Sequence, residues 1–168
     1  AYGASSASGI VVGKTIGAGD RAVLKRLVHT LEVLFSAIGL LTGLTIFLLR
    51  RPLLTVFGGT LTENACRLSM QFMAVIAVTT VGTSYQVACD NGIIRGGGDT
   101  AFSAKMNLIS MWLIIVPLSA LAAFRWELAP VVVFFLLKWD QLYKIIPVAI
   151  RLHSWKWVKV VTRNDNEV

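Results

Sequence analysis

Residues 92–100 read Gly92-Ile93-Ile94-Arg95-Gly96-Gly97-Gly98-Asp99-Thr100, a glycine-dense stretch with one cation and one anion between two long apolar runs. Three consecutive glycines cost backbone entropy on folding, so they are typical of places where a chain bends sharply or where another backbone approaches closely. The stretch therefore predicts a tight connecting loop between two helices.

The composition on both sides of this loop is that of a membrane protein. Hydrophobic residues make up 55% of the 168 residues and charged residues 15%, and the mean hydropathy is +0.70. Average soluble domains contain about 25% charged residues. Four runs are long and apolar enough to cross a hydrocarbon core, which takes about 20 helical residues. These runs are residues 28–49, 68–89, 106–124 and 129–150. A large soluble helical core is the alternative, but soluble helices carry a polar stripe, and we find none in the third run.

The chain therefore predicts an all-α integral membrane protein, a transmembrane helix bundle with about four full spans plus the end of a preceding helix. Residues 1–12 are too short for a full span and show no signal-peptide pattern, so they resemble the last turns of a helix that begins upstream. We expect residues 1–150 to form the bundle and residues 151–168 a basic cytoplasmic tail.

The basic residues predict the orientation. If the helices alternate, one side of the membrane receives ten basic residues and the other four. The larger group is Lys14, Arg21, Lys25, Arg26, Arg95, Lys105, Arg151, Lys156, Lys159 and Arg163, and the smaller is Arg50, Arg51, Arg67 and Arg125. The positive-inside rule places the larger group in the cytoplasm, where the net charge of +7 would meet anionic lipid. Nucleic-acid binding is the rejected alternative, because the charges flank spans and do not form one face.

The first twenty residues admit a flexible linker or a packed helix. Gly9, Gly13 and Gly17 are spaced four apart, which aligns them on one helix face where a second helix can approach closely. This favours packing. A phosphate-binding loop at Gly13-Lys14-Thr15 is excluded, because Ser8 stands where that motif needs glycine. Asp20 is placed to start the next helix, which we expect to run along the membrane surface first.

Several connections and anchors follow from local chemistry. Arg50-Arg51-Pro52 is expected to end the first span, because proline disfavours helix at the residue before it. Pro117 and Pro147 lie within spans and can kink them, as a structural bend or as a functional hinge. The aromatic and basic run Trp155-Lys156-Trp157 predicts an anchor at the membrane interface. Asp99 is placed to cap the helix that follows the glycine loop.

Metal and disulfide chemistry find no support in the sequence. Cys66 and Cys89 are 23 residues apart on one predicted helix, a separation of roughly 35 Å. A disulfide needs Cα atoms closer than about 7 Å. His29 and His153 are far apart and share no metal-ligand spacing, so we expect no metal site and no cofactor.

Ionisable residues inside a span are candidates for function, because their charge is costly there. Glu32 lies one turn inside its span, where it could pair with His29 or reach water. Asp140 and Lys144 are four apart and share a helix face near the middle of the last span, close to Lys138. The pair is either structural or part of a substrate or ion pathway.

A second group of polar residues lies on the span at residues 68–89. It includes Gln71, Tyr85 and Gln86, several hydroxyls, and Asp90-Asn91 at the end. This density is typical of a helix that lines a cavity, although membrane hydroxyls often bond only to the preceding turn. Neither a nucleophile–base pair nor two paired catalytic carboxylates is evident, so we expect no enzyme.

Two motifs resemble the multidrug and toxic compound extrusion (MATE) transporters. Residues 12–20, Val-Gly-Lys-Thr-Ile-Gly-Ala-Gly-Asp, are similar to the family's Val-Gly-x-x-Leu-Gly-Ala-Gly-Asp connector. Residues 92–100 are similar to its Gly-x-Leu-Arg-Gly-x-Gly-Asp-Thr signature. The matching motif residues are Gly13, Gly17, Gly19, Gly92, Arg95, Gly96, Gly98, Asp99 and Thr100.

The resemblance implies a twelve-helix transporter of two lobes, of which this chain would be the C-terminal part, from the end of helix 8 through helix 12. It implies export of cationic or amphipathic drugs or toxins, coupled to Na⁺ or H⁺ and achieved by alternating access, with the lipid bilayer and the remaining helices as partners. Some members carry a cation-binding Asp eight residues before the loop's first glycine, where this chain has Ser84. That ion site is therefore not expected here.

Two other functions stay open. One is a flippase of lipid-linked saccharides from the same superfamily, and the other is a membrane remnant or scaffold that does not transport. The residues kept as candidates for a substrate or ion pathway are Glu32, Gln71, Tyr85, Gln86, Asp140 and Lys144.

Overall fold

The computed structural model describes residues 2–57 and 62–159, and every regular element in these ranges is helical. Helix α1 is Tyr2–Ala18 and α2 is Arg21–Phe57. Helix α3 is Glu63–Ile94, with its last turns, Ala88–Ile94, in π-helical form. Helix α4 is Thr100–Arg125, and α5, α6 and α7 are Pro130–Lys138, Asp140–Tyr143 and Ile145–His153.

Three of these helices, α2, α3 and α4, are long and apolar enough to cross a membrane. They contain the first three predicted spans and extend beyond them at both ends. The fourth predicted span is divided into α5, α6 and α7. Backbone hydrogen bonds from Tyr143 to Trp139 and from Val148 to Lys144, of 3.2 and 3.1 Å, still carry a helical path across the two junctions. Pro147 lacks the N–H that would bond to Tyr143, which is consistent with the irregularity at Lys144.

Helix α2 corrects two predictions. It is one continuous helix from Arg21, so no separate surface segment precedes the span, and it passes through Pro52. Proline at this position removes only the hydrogen bond to the carbonyl four residues earlier, and the rest of the helix is intact. The predicted start at Asp20 is confirmed, because its Oδ1 accepts hydrogen bonds from the amides of Ala22 and Val23 at 3.0 and 3.1 Å.

The glycine stretch is more helical than predicted. Helix α3 continues through Gly92 to Ile94, and the turn itself is confined to residues 97–99. Gly98 closes that turn at φ +93°, a conformation that side chains with a Cβ rarely adopt. The last part of α3, Ala88–Ile94, is π-helical and therefore wider than an α-helix by about one residue per helical turn. Asp90 and Gly92 in this segment are buried.

Close packing of α1 against α3 accounts for the glycines. A Cβ on Gly9 would lie 3.1 Å from the Gly92 carbonyl oxygen, and a Cβ on Gly96 would lie 2.8 Å from the Cα of Gly9. Gly13 faces the carbonyl of Gly96 in the same way, at 3.3 Å. The prediction of a packed helix is therefore confirmed for Gly9 and Gly13. Gly17 has nothing within 4 Å and does not take part.

Burial is inverted relative to a soluble protein. Asp90, Ser103 and Lys144 are buried, whereas many large apolar side chains are exposed, including Leu113 at 71% and Phe124 at 86%. Such a surface is stable in contact with lipid or with further helices, because apolar side chains suit an apolar surrounding and charged ones do not. The interior is accordingly the place to look for a functional site.

The packing of α1 on α3 yields a first prediction. Gly96→Ala should lower the thermal stability of the complete protein in detergent by the equivalent of roughly 1–3 kcal/mol, because its methyl group would overlap the Gly9 backbone. Gly17→Ala is the matched control. It should leave the melting temperature unchanged or slightly raised, since Ala favours helix over Gly by about 0.5–1 kcal/mol. Equal melting temperatures for the two variants would contradict the assigned contact.

Candidate functional site

Six polar side chains meet where α3, α4 and α6 pack together. We call them the interior cluster: Asp90, Ser103, Asn107, Asp140, Gln141 and Lys144. The membership spans three helices and the α6–α7 junction. Ion pathways in membrane proteins are built from such groups, because ionisable side chains in lipid must face one another or a cavity.

Asp90 is the innermost acid of the interior cluster, only 1% exposed. The Ser103 hydroxyl donates a hydrogen bond to its Oδ1, and the Asn107 amide donates one to its Oδ2 at 3.2 Å. Ser103 is itself fully buried. Both partners come from α4, so the carboxylate binds α3 to α4.

Lys144 and Asp140 form the ion pair that the sequence predicted. The Nζ of Lys144 lies 2.9 Å from Asp140 Oδ2 and also 2.9 Å from Asn107 Oδ1. Asn107 therefore bridges Lys144 and Asp90 with the two ends of one amide. Gln141 donates to Asp140 Oδ2 at 2.9 Å, and its own Oε1 is buried with no hydrogen-bond partner in the described part of the chain.

The interior cluster contains more acid than base. Two carboxylates, Asp90 and Asp140, face a single ammonium, and Lys138 does not contribute because its side chain is exposed. With both acids ionised, the cluster holds one net negative charge among apolar helices. An uncompensated buried charge is costly. One monovalent cation, a proton or Na⁺, would remove this cost.

Glu32 lies in a second, separate group. The Tyr85 hydroxyl donates to Glu32 Oε1 at 2.9 Å, and His153 Nε2 lies 3.9 Å from Oε2. The predicted partner His29 is exposed, and the histidine near Glu32 is His153 instead. The candidates Glu32 and Tyr85 are thus brought together, apart from Asp140 and Lys144.

The other two candidates join neither group. Gln86 is buried in α3, and Gln71 is exposed at the opposite end of that helix, where it lines a cleft beside α2. Cys66 and Cys89 are both free thiols, as predicted.

Asp90, Ser103 and Asn107 were not among the predicted site residues. A signal was present, because Ser103, Asn107 and Ser110 follow the i, i+4, i+7 spacing of one helix face. Ser110 extends this stripe by a hydrogen bond with Tyr143 of α6. This stripe begins at Ser103, before the third predicted span, and it places Asn107 and Ser110 in the first turns of a span for which no polar stripe was predicted.

The glycine turn holds the chain's last described residues. Asp99 accepts hydrogen bonds from Arg151 Nε at 2.8 Å and from Lys159 Nζ at 2.7 Å, and it makes no capping bond to α4. The predicted cap is therefore wrong, because two cations compete for the same carboxylate. Burial works to raise the pKa of Asp99, but the hydrogen bonds from Lys159 and Arg151 outweigh it and hold the pKa below its ordinary value.

Trp157 corrects the predicted interface anchor. Its ring is fully buried against Gly97, and its Nε1 donates to the carbonyl of Leu152 at 2.8 Å. The amide of Lys159 bonds to the Gly97 carbonyl at 2.8 Å. A side chain on Gly97 would overlap the indole ring. Trp157 therefore docks the tail onto the turn, and its ring is withdrawn from any lipid interface.

The ion pairs of Asp99 with Arg151 and Lys159, which we call the ionic clamp, give a pH-dependent prediction. Because its pKa in the folded state is lower than in the unfolded chain, its stabilisation is complete above about pH 4 and is lost as the pH falls through the folded-state pKa. Asp99→Asn should cost roughly 1–3 kcal/mol at pH 7. The gap in melting temperature from the unmodified protein should narrow at pH 3. A gap that is constant with pH would contradict the clamp. Lys159→Gln, a loss at a half-exposed side chain, should cost less.

The ion pair of the interior cluster gives a third prediction. Lys144→Met should destabilise the protein by about 3–5 kcal/mol, because it leaves the buried Asp90 and the partly buried Asp140 without a cation. Asp140→Asn combined with Lys144→Met should recover a substantial part of that loss in thermal unfolding. If the double variant is no more stable than the single one, Lys144 does not serve as the counter-ion of Asp140.

The chain is similar to known membrane transporters. The MatE family model matches residues 1–121. A protein of Schizosaccharomyces pombe described as "Uncharacterized transporter C4B3.13" is 26% identical over 125 residues, which are 74% of this chain and 23% of that relative. No solved structure matches. The chain thus spans less than a quarter of the relative, and it contains two motifs and the membrane-length helices of a multi-pass transporter. It belongs to the MatE family.

Proposed function

We propose that the complete protein is an efflux antiporter that exports cationic or amphipathic compounds in exchange for H⁺ or Na⁺, and that the interior cluster takes the coupling ion. Membership of a transporter family supports the general class. The observation that carries the specific proposal is the charge imbalance of the buried residues Asp90 and Lys144 with the partly buried Asp140.

An antiporter needs a site whose occupancy alternates between the ion and the substrate or between two exposed states. The interior cluster has the chemistry for a small monovalent cation, since it holds the carboxylate oxygens of Asp90 and Asp140 and the unpartnered Oε1 of Gln141. It connects three elements, so binding or losing a charge there changes the energy of their packing. This is the requirement for coupling an ion to a conformational change.

The site proposed here replaces the acid that some family members carry eight residues before the glycine loop. Ser84 occupies that position and packs against Gly39 of α2, with a Cβ on Gly39 only 2.9 Å from the Ser84 Cβ. A hydroxyl held this closely to a neighbouring helix supplies no charge. Asp90, six residues later on α3, brings a carboxylate to the π-helical turn instead.

Placement in the cell is part of the proposal. We place the protein in the cell membrane with the glycine turn and C-terminus on the cytoplasmic side. In support, the end bearing Asp99, Arg151 and Lys159 also holds Lys25, which lies 5.8 Å from the Trp155 ring. The other end gathers Arg50, Arg51 and Arg67 around one cleft. We also propose that the rest of the polypeptide completes the substrate path.

Transport by the complete protein tests the proposal. Drug efflux should be measured in membrane vesicles with Na⁺ and pH gradients imposed separately, for Asp90→Asn and Asp140→Asn. Each variant should lower ion-driven efflux by at least roughly tenfold, the effect of about 1.4 kcal/mol in coupling, and the dependence on the driving ion should weaken. The matched control is Glu127→Gln, which removes an exposed carboxylate outside the cluster.

Efflux with undiminished ion dependence in both variants would contradict a coupling role and leave Asp140 and Lys144 as a structural pair. Transport of a lipid-linked saccharide in place of drugs would favour the flippase alternative. Absence of any transport by the unmodified complete protein would favour a scaffold.

A further inference from the structure

A cleft of about 840 Å³ lies between α2 and α3, at the end of the molecule opposite the glycine turn. Three arginines line it, Arg50 and Arg51 from α2 and Arg67 from α3. Glu63 is the one acidic residue in its lining. The interior cluster lies toward the other end of α3, so the cleft is a separate feature.

The three guanidinium groups have no acidic partner in the described part of the chain. Within residues 2–57 and 62–159, no carboxylate lies within salt-bridge distance of Arg50, Arg51 or Arg67. Arg50 instead stacks over the Phe47 ring, with its Cζ 3.8 Å from the centroid, which fixes the direction of its guanidinium. Since Glu63 offsets one charge at most, the cleft retains a formal excess of two positive charges.

The backbone at the start of α3 adds partial positive charge to the cleft. Helix α3 begins at Glu63 with Thr62 as its N-cap, and Asn64 of its first turn lines the cleft. The amides of a helix N-terminus carry partial positive charge and favour anions. The Thr62 hydroxyl accepts a hydrogen bond of 3.4 Å from one of these amides, that of Ala65.

The lining from α3 becomes more apolar with distance from the helix start. Met70 and Ala74 follow Arg67 toward the middle of the span. Ala74 lies seven residues beyond Arg67, about 10 Å along the helix axis and into the apolar part of α3. On α3 the lining is thus charged at Arg67 and apolar at Met70 and Ala74, which lie nearer the middle of the span.

We propose that this cleft binds one anionic phospholipid, with its phosphate on Arg50, Arg51 and Arg67 and the start of an acyl chain along Met70 and Ala74. Guanidinium groups bind phosphate oxygens in bidentate geometry. The apolar part of the lining distinguishes a lipid from a free phosphate ion. The positive charge also repels cationic compounds, so the cleft is not the path of the exported drug. The proposal is independent of ion coupling at the interior cluster.

Native mass spectrometry of the complete protein, purified in detergent and offered phosphatidylglycerol, tests the site. The unmodified protein should retain one more phosphatidylglycerol than the variant R50Q/R51Q/R67Q. Apparent affinity should fall roughly fivefold for each arginine removed. Phosphatidylcholine, which has no net charge, should bind the two proteins equally. The matched control is Arg125→Gln, an exposed arginine outside the cleft, which should leave lipid retention unchanged.

Two further arms keep the result decisive. Arg51 and Arg67 are exposed, so R51Q and R67Q singly should fold even if the triple variant does not, and each should show part of the loss. Inorganic phosphate at millimolar concentration should not displace the lipid. Equal phosphatidylglycerol retention by all variants would overturn the proposal. Displacement by inorganic phosphate would overturn it as well, since the ligand would then be a free anion.

Discussion

A charge placed among apolar helices must find its partners inside the protein, and the arrangement of α3, α4 and α6 follows from this constraint. Asp90 takes its hydrogen bonds from two residues of α4, and Lys144 reaches both Asp140 and the amide that serves Asp90. Asp90 and Lys144 are buried, so water does not readily replace these partners. The relative positions of the three elements are therefore set by polar contacts, while their outer surfaces are apolar.

Glycine supplies the complementary constraint, which is close approach of backbones. The π-helical end of α3 lies directly against α1 because Gly9 and Gly13 face Gly92 and Gly96. The same end carries Asp90, so packing of α1 fixes the position of the buried acid. The turn beyond it receives Trp157 and the cations of the tail. The glycine motif thus contacts helix α1, the Trp157 ring and the cations Arg151 and Lys159. Its glycines and its acid serve these contacts more than they serve flexibility.

Local features were predictable from the sequence, and long-range ones were not. The Asp140–Lys144 pair and the Asp20 cap depend on spacing within a few residues, so periodicity was enough to find them. The hydrogen bonds of Asp90 depend on how α3 and α4 are rotated against each other, and on a π-helical turn that changes the rotation. The aromatic and basic composition of the tail suits a membrane interface as well as a buried site. The tail is buried because the missing side chain of Gly97 leaves room for the Trp157 ring, which the sequence alone does not show.

The central claim is that the interior cluster holds one exchangeable monovalent cation. Cation stoichiometry measured on the purified complete protein tests it most directly, as protons released into weakly buffered solution when a transported drug binds, and as bound radioactive Na⁺. The account predicts that Asp140→Asn lowers the number of protons released, or of Na⁺ ions bound, by one per chain relative to the unmodified protein. An unchanged stoichiometry for both ions in Asp140→Asn and in Asp90→Asn would contradict it.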